Sequence, residues 1–255
     1  MNRTQFISFE LTEHCNLAKQ HAGKCPSGDA DRFGCSNTSR RLDDDVVVEC
    51  VKYAYNQGFQ GLVTWHAYNE PLMAWRRTKS LMERLKQEVP SVKFGLWTNG
   101  TYIGVRVQPE ELAIFSAIWI SNYLQRDWSY IRQYCPQLTV ISGDLDGRKS
   151  AGDESSCRCV RPFNELVINA YGQAQLCCAD WKCETGLGNV YQDGYPEIVR
   201  RFLALRDKVS TQPMPDDAPP ICRKCTIRCY DLDCLVPQPY LEALLHLAGN
   251  HGVTD

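Results

Sequence analysis

Fourteen cysteines in a chain of 255 residues are the side chains best equipped for chemistry. Five lie in the first 135 residues (Cys15, Cys25, Cys35, Cys50 and Cys135), and nine fall between Cys157 and Cys234. The first three follow the apolar run "FISFELTEHC" and are spaced by nine residues each time. Secreted disulfide scaffolds are usually shorter than this chain and carry an export signal. The opening "MNRTQFISFELTEHC" reaches polar residues too soon for one. Thiolates held for a metal fit better, and the choice is between zinc and iron–sulfur. Three thiols at one place carry particular meaning: they leave one iron of a four-iron cluster open to a small molecule, as a catalytic zinc keeps one open position. A second set begins at Cys159, with twelve residues leading to Gly172 and four more to Cys177. After a long gap it resumes at Cys222-Arg-Lys-Cys225. A hairpin presents thiols at its base and tip, and a C-x-x-C turn can close on them.

The elements that must position these thiols alternate between β-like and helical patterns. "TQFISFEL" (4–11), "QGLVTWHA" (60–67), "VKFGLWTNG" (92–100), "AIWISNY" (117–123) and "QLTVISGDL" (137–145) read as strands. "LDDDVVVECVKYAYNQG" (42–58) is an expected helix with acids at its start and Gly58 as its stop, and "LMAWRRTKSLMERLKQEV" (72–89) is an amphipathic helix stopped by Pro90. "EELAIFS" and "DWSYIRQYC" suggest shorter helical pieces. Strands this apolar, alternating with helices, indicate a parallel sheet of βα units. Cys15, the run from His66 to Glu70, Thr98-Asn99-Gly100, Ser121-Asn122 and Ser142 to Asp144 all fall at or just past strand C-termini, the edge where such sheets carry their sites. Beyond "DGRKSAGDESSCRC", a turn-rich connection, "NELVINAYGQAQLCC" (164–178) reads as a hairpin around Tyr171-Gly172. "YPEIVRRFLALRDKV" (195–209) and "YLEALLHLAG" (240–249) read as helices. The expected organisation is a barrel-like unit over 1–150, a cysteine-rich unit over 151–235 and a helical tail over 236–255.

Composition narrows the class further. Hydrophobic residues make up 44% and charged residues 23%, enough for a sizeable core and too apolar for wholesale disorder. A net charge of −2 gives no footprint for wrapping nucleic acid. No apolar run is long enough to span a bilayer, so the expectation is a cytoplasmic protein with no membrane partner.

"CNL" after the first strand, "YNEPL" (68–72) after the second and "TNG" (98–100) after the third together resemble the radical SAM superfamily. The later cysteines resemble its SPASM/twitch subgroup, and the chain is similar to small dehydrogenases and epimerases of aminoglycoside-type biosynthesis. The resemblance covers roughly residues 5 to 230. It implies an α/β fold, a partial (β/α)6 TIM-like barrel with a small hairpin-plus-helix twitch domain, whose sixth strand is either very short or lies within 160–168. It implies a 4Fe-4S cluster on Cys15, Cys25 and Cys35 with one open iron for S-adenosylmethionine, although the family's usual spacing is C-x3-C-x2-C and positions 19 and 22 are Lys and Ala here. Glu70 would take the amino group of the methionine moiety. Asn69, Thr98, Asn99, Ser121 and Ser142 would surround its carboxylate and ribose. One auxiliary 4Fe-4S cluster would sit on Cys159, Cys177, Cys222 and Cys225, with Cys157 the rival of Cys159. Cys229 and Cys234 miss the spacing of a second auxiliary cluster.

The reaction implied is removal of a substrate hydrogen by a 5′-deoxyadenosyl radical. It ends either in dehydrogenation of an alcohol, with an electron leaving through the auxiliary cluster, or in epimerisation, with a thiol returning hydrogen. Cys178, Cys183, Cys229 and Cys234 are the spare thiols, and His66 is a candidate base. Trp65, Tyr68, Trp97, Trp119, Tyr123 and Trp181 could line a pocket for a sugar or aminocyclitol, with Arg126, Asp144, Asp180 or Arg161 on its polar groups. A flavodoxin- or ferredoxin-type donor would supply electrons. Two other readings stand beside this one: modification of a ribosomally made peptide, and a zinc-stabilised structural or interaction module.

Overall fold

The computed structural model describes residues 4–21, 25–28, 41–142, 159, 161–211 and 213–225. Cys35, Cys157, Cys229, Cys234, Asp144, the whole of the 146–158 connection and the expected tail helix lie outside them, as does the side chain of Ser142.

Seven strands form a single sheet in the order β5-β4-β3-β2-β1-β6-β7. These are β1 (Phe6–Phe9), β2 (Leu62–Thr64), β3 (Lys93–Thr98), β4 (Ala117–Asn122), β5 (Leu138–Ser142), β6 (Glu165–Ile168) and β7 (Ala174–Gln175). The first six are parallel to their neighbours, and β7 returns antiparallel to β6. The sixth parallel strand therefore lies within the expected 160–168 stretch, yet it adds to the β1 edge, with Phe6 opposite Glu165 and Phe9 opposite Ile168, instead of following β5. The fold is a mostly parallel, curved α/β sheet of partial-barrel type.

Strand alternation gives the sheet two different faces. Ile7, Phe9, Val63, Phe94, Leu96, Ile118, Ile120, Leu166 and Ile168 join the helices in the main core. Phe6, Leu62, Ala117 and Trp119 form a second, smaller cluster on the opposite face, with Trp97 and Ile141 packed against it. Full burial of a side chain such as Phe94 or Leu96 contributes about 1.5–3 kcal/mol. Above the small cluster the same face turns polar: Ser8 and Thr64 share a 2.6 Å hydroxyl contact, and Ser8 donates to Glu165 at 3.3 Å.

Two full helices cover the outer face. In α1 (Asp44–Asn56), Val47, Val48, Val51 and Ala54 form the buried stripe, and Asp44 and Asp45 sit where the helix dipole favours acids. Its end is set by Gly58 at φ 80°, a conformation open to glycine. In α2 (Trp75–Glu88), Trp75, Thr78, Leu81, Met82 and Leu85 face inward. Its expected first turn, Pro71–Ala74, is a 3-10 turn capped by Glu70. After β3 and β4 the connections hold only 3-10 segments, Pro109–Ile114 and Ser129–Gln133, so the expected short helices there stay pieces of six and five residues. The third long helix, α3 (Tyr195–Val209), packs beside α1, where Tyr195 meets Tyr53 edge-on at 5.9 Å. A short turn of helix, α4 (Pro220–Arg223), follows.

Candidate functional site

The C-terminal ends of β1 to β4 converge on one cleft, whose lining includes Cys15, His21, Cys25, His66, Asn99 and Ser121. The loop leaving β1 winds through successive helical turns: Ala18 N–H donates to the Cys15 carbonyl, His21 N–H to Leu17 at 3.0 Å, and Cys25 N–H to His21 at 2.9 Å. Cys25 is buried, and the Ser27 hydroxyl donates to its sulfur at 3.3 Å.

The "YNEPL" loop is built around two carboxylates. Glu10, fully buried at the end of β1, accepts from Tyr68 N–H at 3.1 Å, and Glu70 N–H donates to the His14 carbonyl at 2.9 Å. Glu70 is 1% exposed. Its Oε1 accepts from Leu72 N–H at 3.1 Å and from the Thr98 hydroxyl at 2.6 Å, and its Oε2 accepts from Asn99 N–H at 2.8 Å. Burial pushes its carboxyl up to about 7, against the opposing pull of those three donors. Glu70 thus ties the second-strand loop to the third. A buried carboxylate with lone pairs to spare is also a receptor for an ammonium group.

The remaining polar residues have specific tasks. Asn69 folds its own loop, accepting from Ala67 N–H and donating to the Trp65 carbonyl. Asn99 donates from its amide to Asn16 at 3.0 Å, which joins the "TNG" turn to the cysteine loop. Gly100 sits at φ 76°, and a Cβ there would meet the Trp128 ring at 2.6 Å, so glycine is required twice over. The Ser121 hydroxyl accepts from Trp97 Nε1 at 2.9 Å. His66 lies over Trp97 with ring centroids 5.2 Å apart, and His21 meets Tyr123 edge-on at 4.6 Å. Tyr68, Trp97 and Tyr123 line the cleft as expected from sequence. Trp65 does not: strand alternation turns it to the helix side, against Phe9 and Phe94.

The second thiol set follows the β6–β7 hairpin. Asn169, at its turn, accepts from Tyr171 N–H and Gln173 N–H, and Gly172 takes φ 79°. Cys177 lies close enough to Cys159 and Cys178 for all three sulfurs to feel one another. Desolvation, then these neighbours, push the Cys177 thiol well up while Arg161 opposes them. Cys159 donates its N–H to the Val209 carbonyl at the end of α3. That helix leads on to α4, where Cys222 packs against the main core and Cys225 closes a turn onto the Cys222 carbonyl. Cys178 is exposed, and Arg161 Nη1 donates to its sulfur at 2.7 Å. Asp180 is 1% exposed and serves its own loop, accepting from Leu176 N–H and from both the backbone and hydroxyl of Thr185. Cys183 holds φ 57°, with Asn169 and Gln175 amides directed at its sulfur.

One bond that no sequence spacing announces joins the two sets: the Tyr68 hydroxyl donates to the Cys178 carbonyl. Tyr171 likewise donates to Glu13 in the cysteine loop. Among the described residues, no three His, Cys, Asp or Glu side chains are grouped to hold one metal ion. Soft thiols in each set nonetheless fit iron–sulfur chemistry, since the ligands of a cube bind separate irons and need not meet at one point.

The sheet thus carries a polar collar at its strand C-termini and a thiol-bearing hairpin on its edge. Residues 157–226 match the model of SPASM, an iron–sulfur cluster-binding domain. The matched segment carries Cys159, Cys177, Cys222 and Cys225. The fold of the chain is similar to that of BtrN, solved in complex with AdoMet and 2-DOIA, at 15% identity and a TM-score of 0.59 over 82% of this chain and 89% of that one. A BtrN structure in an open conformation gives 15% identity and a TM-score of 0.60 over 87% and 92%. No curated protein matches the sequence. Among the described residues, no helix is long and apolar enough to cross a membrane.

Proposed function

We propose that this protein is a radical SAM oxidoreductase that removes hydrogen from a hydroxyl-bearing carbon of a sugar or aminocyclitol-like molecule. The observation that carries this reading is the shared cleft, in which Cys15 and Cys25 face the polar residues Asn99 and Ser121 beside buried Glu70. A cluster on Cys15, Cys25 and a third ligand, for which Cys35 is the thiol expected from sequence, would supply with S-adenosylmethionine a 5′-deoxyadenosyl radical, and an auxiliary cluster would supply an electron acceptor.

The chain's own residues do the positioning. Glu70 receives an ammonium group, while Asn99 and Ser121 offer amide and hydroxyl contacts to a carboxylate or ribose. Trp97, His66 and Tyr123 wall off the space above the sheet. The auxiliary ligands are Cys159, Cys177, Cys222 and Cys225, and Tyr68 fastens that segment to the cleft. A flavodoxin- or ferredoxin-type protein is the proposed reductant. Exposed Cys178, with Arg161 on its sulfur, supports epimerisation as the second outcome, because an accessible thiol can return hydrogen to a carbon radical.

The test is anaerobic incubation of the iron-loaded protein with S-adenosylmethionine, a reductant and aminocyclitols deuterated at single carbons. Deuterium arriving in 5′-deoxyadenosine supports the proposal and names the carbon. Absence of 5′-deoxyadenosine altogether would sink it.

A further inference from the structure

We propose that the turn from Cys222 to Cys225 is the docking surface for an acidic, flavodoxin-type electron carrier, held by Arg223 and Lys224, and that the electron left over from the substrate leaves there. The inference rests on the reading above that Cys222 and Cys225 hold an auxiliary cluster. An alcohol that gives a hydrogen atom to the 5′-deoxyadenosyl radical and a proton to water becomes a carbonyl and releases one electron. That electron has to reach an acceptor before the next turnover. A carrier is one electron poorer after supporting cleavage of S-adenosylmethionine, and it is restored by taking one back. The cycle then balances without any further oxidant.

The turn is built for contact. Pro219 and Pro220 open α4, the Lys224 N–H bonds to the Pro220 carbonyl at 3.0 Å, and the Cys225 N–H bonds to the Cys222 carbonyl at 3.3 Å. Arg223 and Lys224 are exposed, and the cysteines on either side of them are half-buried. Because the four residues are consecutive, a carboxylate paired with either cation is held within two residues of both sulfurs. The chain itself fixes that closeness, whatever the pose of the partner. The local charge also runs against the net −2 of the whole chain. Among the acids of residues 206–225, Asp207 pairs with Arg206 at 2.9 Å and Asp217 pairs with Lys208, which leaves Asp216 as the acid outside an ion pair. Arg161, on the sulfur of Cys178, adds a further cation to the same thiol set. Exposed charges of this kind contribute little to stability and act mainly on the rate of association with an oppositely charged partner.

The experiment uses the full chain carrying Cys15→Ala, loaded with iron and sulfide, reduced and freed of excess reductant, so that the auxiliary site alone holds electrons. On mixing with an oxidised flavodoxin, semiquinone should form in a bimolecular step that slows as salt rises. Arg223→Glu/Lys224→Glu should slow that step about tenfold or more and flatten its salt dependence. Arg223→Gln/Lys224→Gln should have a smaller effect. Arg132→Glu, exposed between β4 and β5 near the opposite edge of the sheet, should have none. Carbodiimide should couple Lys224 of the otherwise unaltered chain to flavodoxin carboxylates, as mapped by mass spectrometry. Equal rates and equal salt slopes in the charge-reversed protein would overturn the inference, as would crosslinks confined to other lysines. Re-oxidation that needs no carrier and is abolished by Cys15→Ala would also overturn it, because the electron would then return inside the chain. A chain with no iron on Cys222 and Cys225 would defeat the functional reading instead, and is told apart because the Cys15→Ala protein would then hold no iron at all.

Discussion

The cleft at the strand ends and the cysteine segment after β7 solve the same problem in opposite ways. The cleft is assembled from distant parts of the chain: Glu70 reaches Thr98 and Asn99, Asn99 reaches Asn16, and Glu10 reaches Tyr68. The cysteine segment is braced mainly by local bonds, by Asn169 across its own turn and by Asp180 across residues 176–185, with Tyr68 and Tyr171 as its ties to the cleft side. A site built from long-range bonds fails when the sheet fails. A site built from local bonds can fail alone. The two regions should therefore respond differently to equivalent damage.

Removing one proposed ligand from each is the strongest probe. Cys15→Ala should abolish cleavage of S-adenosylmethionine, whereas Cys222→Ala should leave measurable cleavage but lose product. Equal product from the Cys222 variant would remove the electron-exit role. Asp180→Ala comes next, since it strands several donors in a buried loop at about 1–3 kcal/mol for each group left unpaired. Iron content should fall by about half while 5′-deoxyadenosine formation persists. Loss of all iron would show the regions to be one cooperative unit.

Gly100→Ala should cost about 1–3 kcal/mol, because it forces a side chain into a left-handed conformation and against Trp128. A lowered Tm with unchanged auxiliary iron is the expected reading. The smallest effect concerns Glu70 and pH. Its folded value, about 7, lies above the ordinary carboxylate value, so ionising it costs the fold stability. Stability of the ligand-free protein should decline as pH rises from the ordinary carboxylate range to about 7 and level off above it. Glu70→Gln should flatten that decline, and affinity for S-adenosylmethionine should drop in the variant. A pH profile identical in both proteins would remove Glu70 as the cause.

Much of this was legible in the sequence, for identifiable reasons. Strand-end motifs could be read because a parallel sheet repeats one rule at each βα turn, and the hairpin could be read because Gly172 demands a turn. The thiols at Cys15 and Cys25 were marked by chemistry alone. What escaped were contacts with no fixed spacing: Glu10 beneath Tyr68, Tyr68 to Cys178, Tyr171 to Glu13. Asp180 has the side chain of a substrate contact, but only its burial reveals that it serves its own loop. The placement of β6 beside β1 also escaped, because an apolar run names a strand and not its neighbour.

That placement has a further outcome. β1 runs straight into the first cysteine loop, and β6, hydrogen-bonded along it, runs into the hairpin that leads to Cys177. One backbone ladder thus acts as the ruler between the two sulfur-bearing regions. Lengthening the 143–158 connection would leave that gauge unchanged, whereas a one-residue slip of β1 against β6 would reset it.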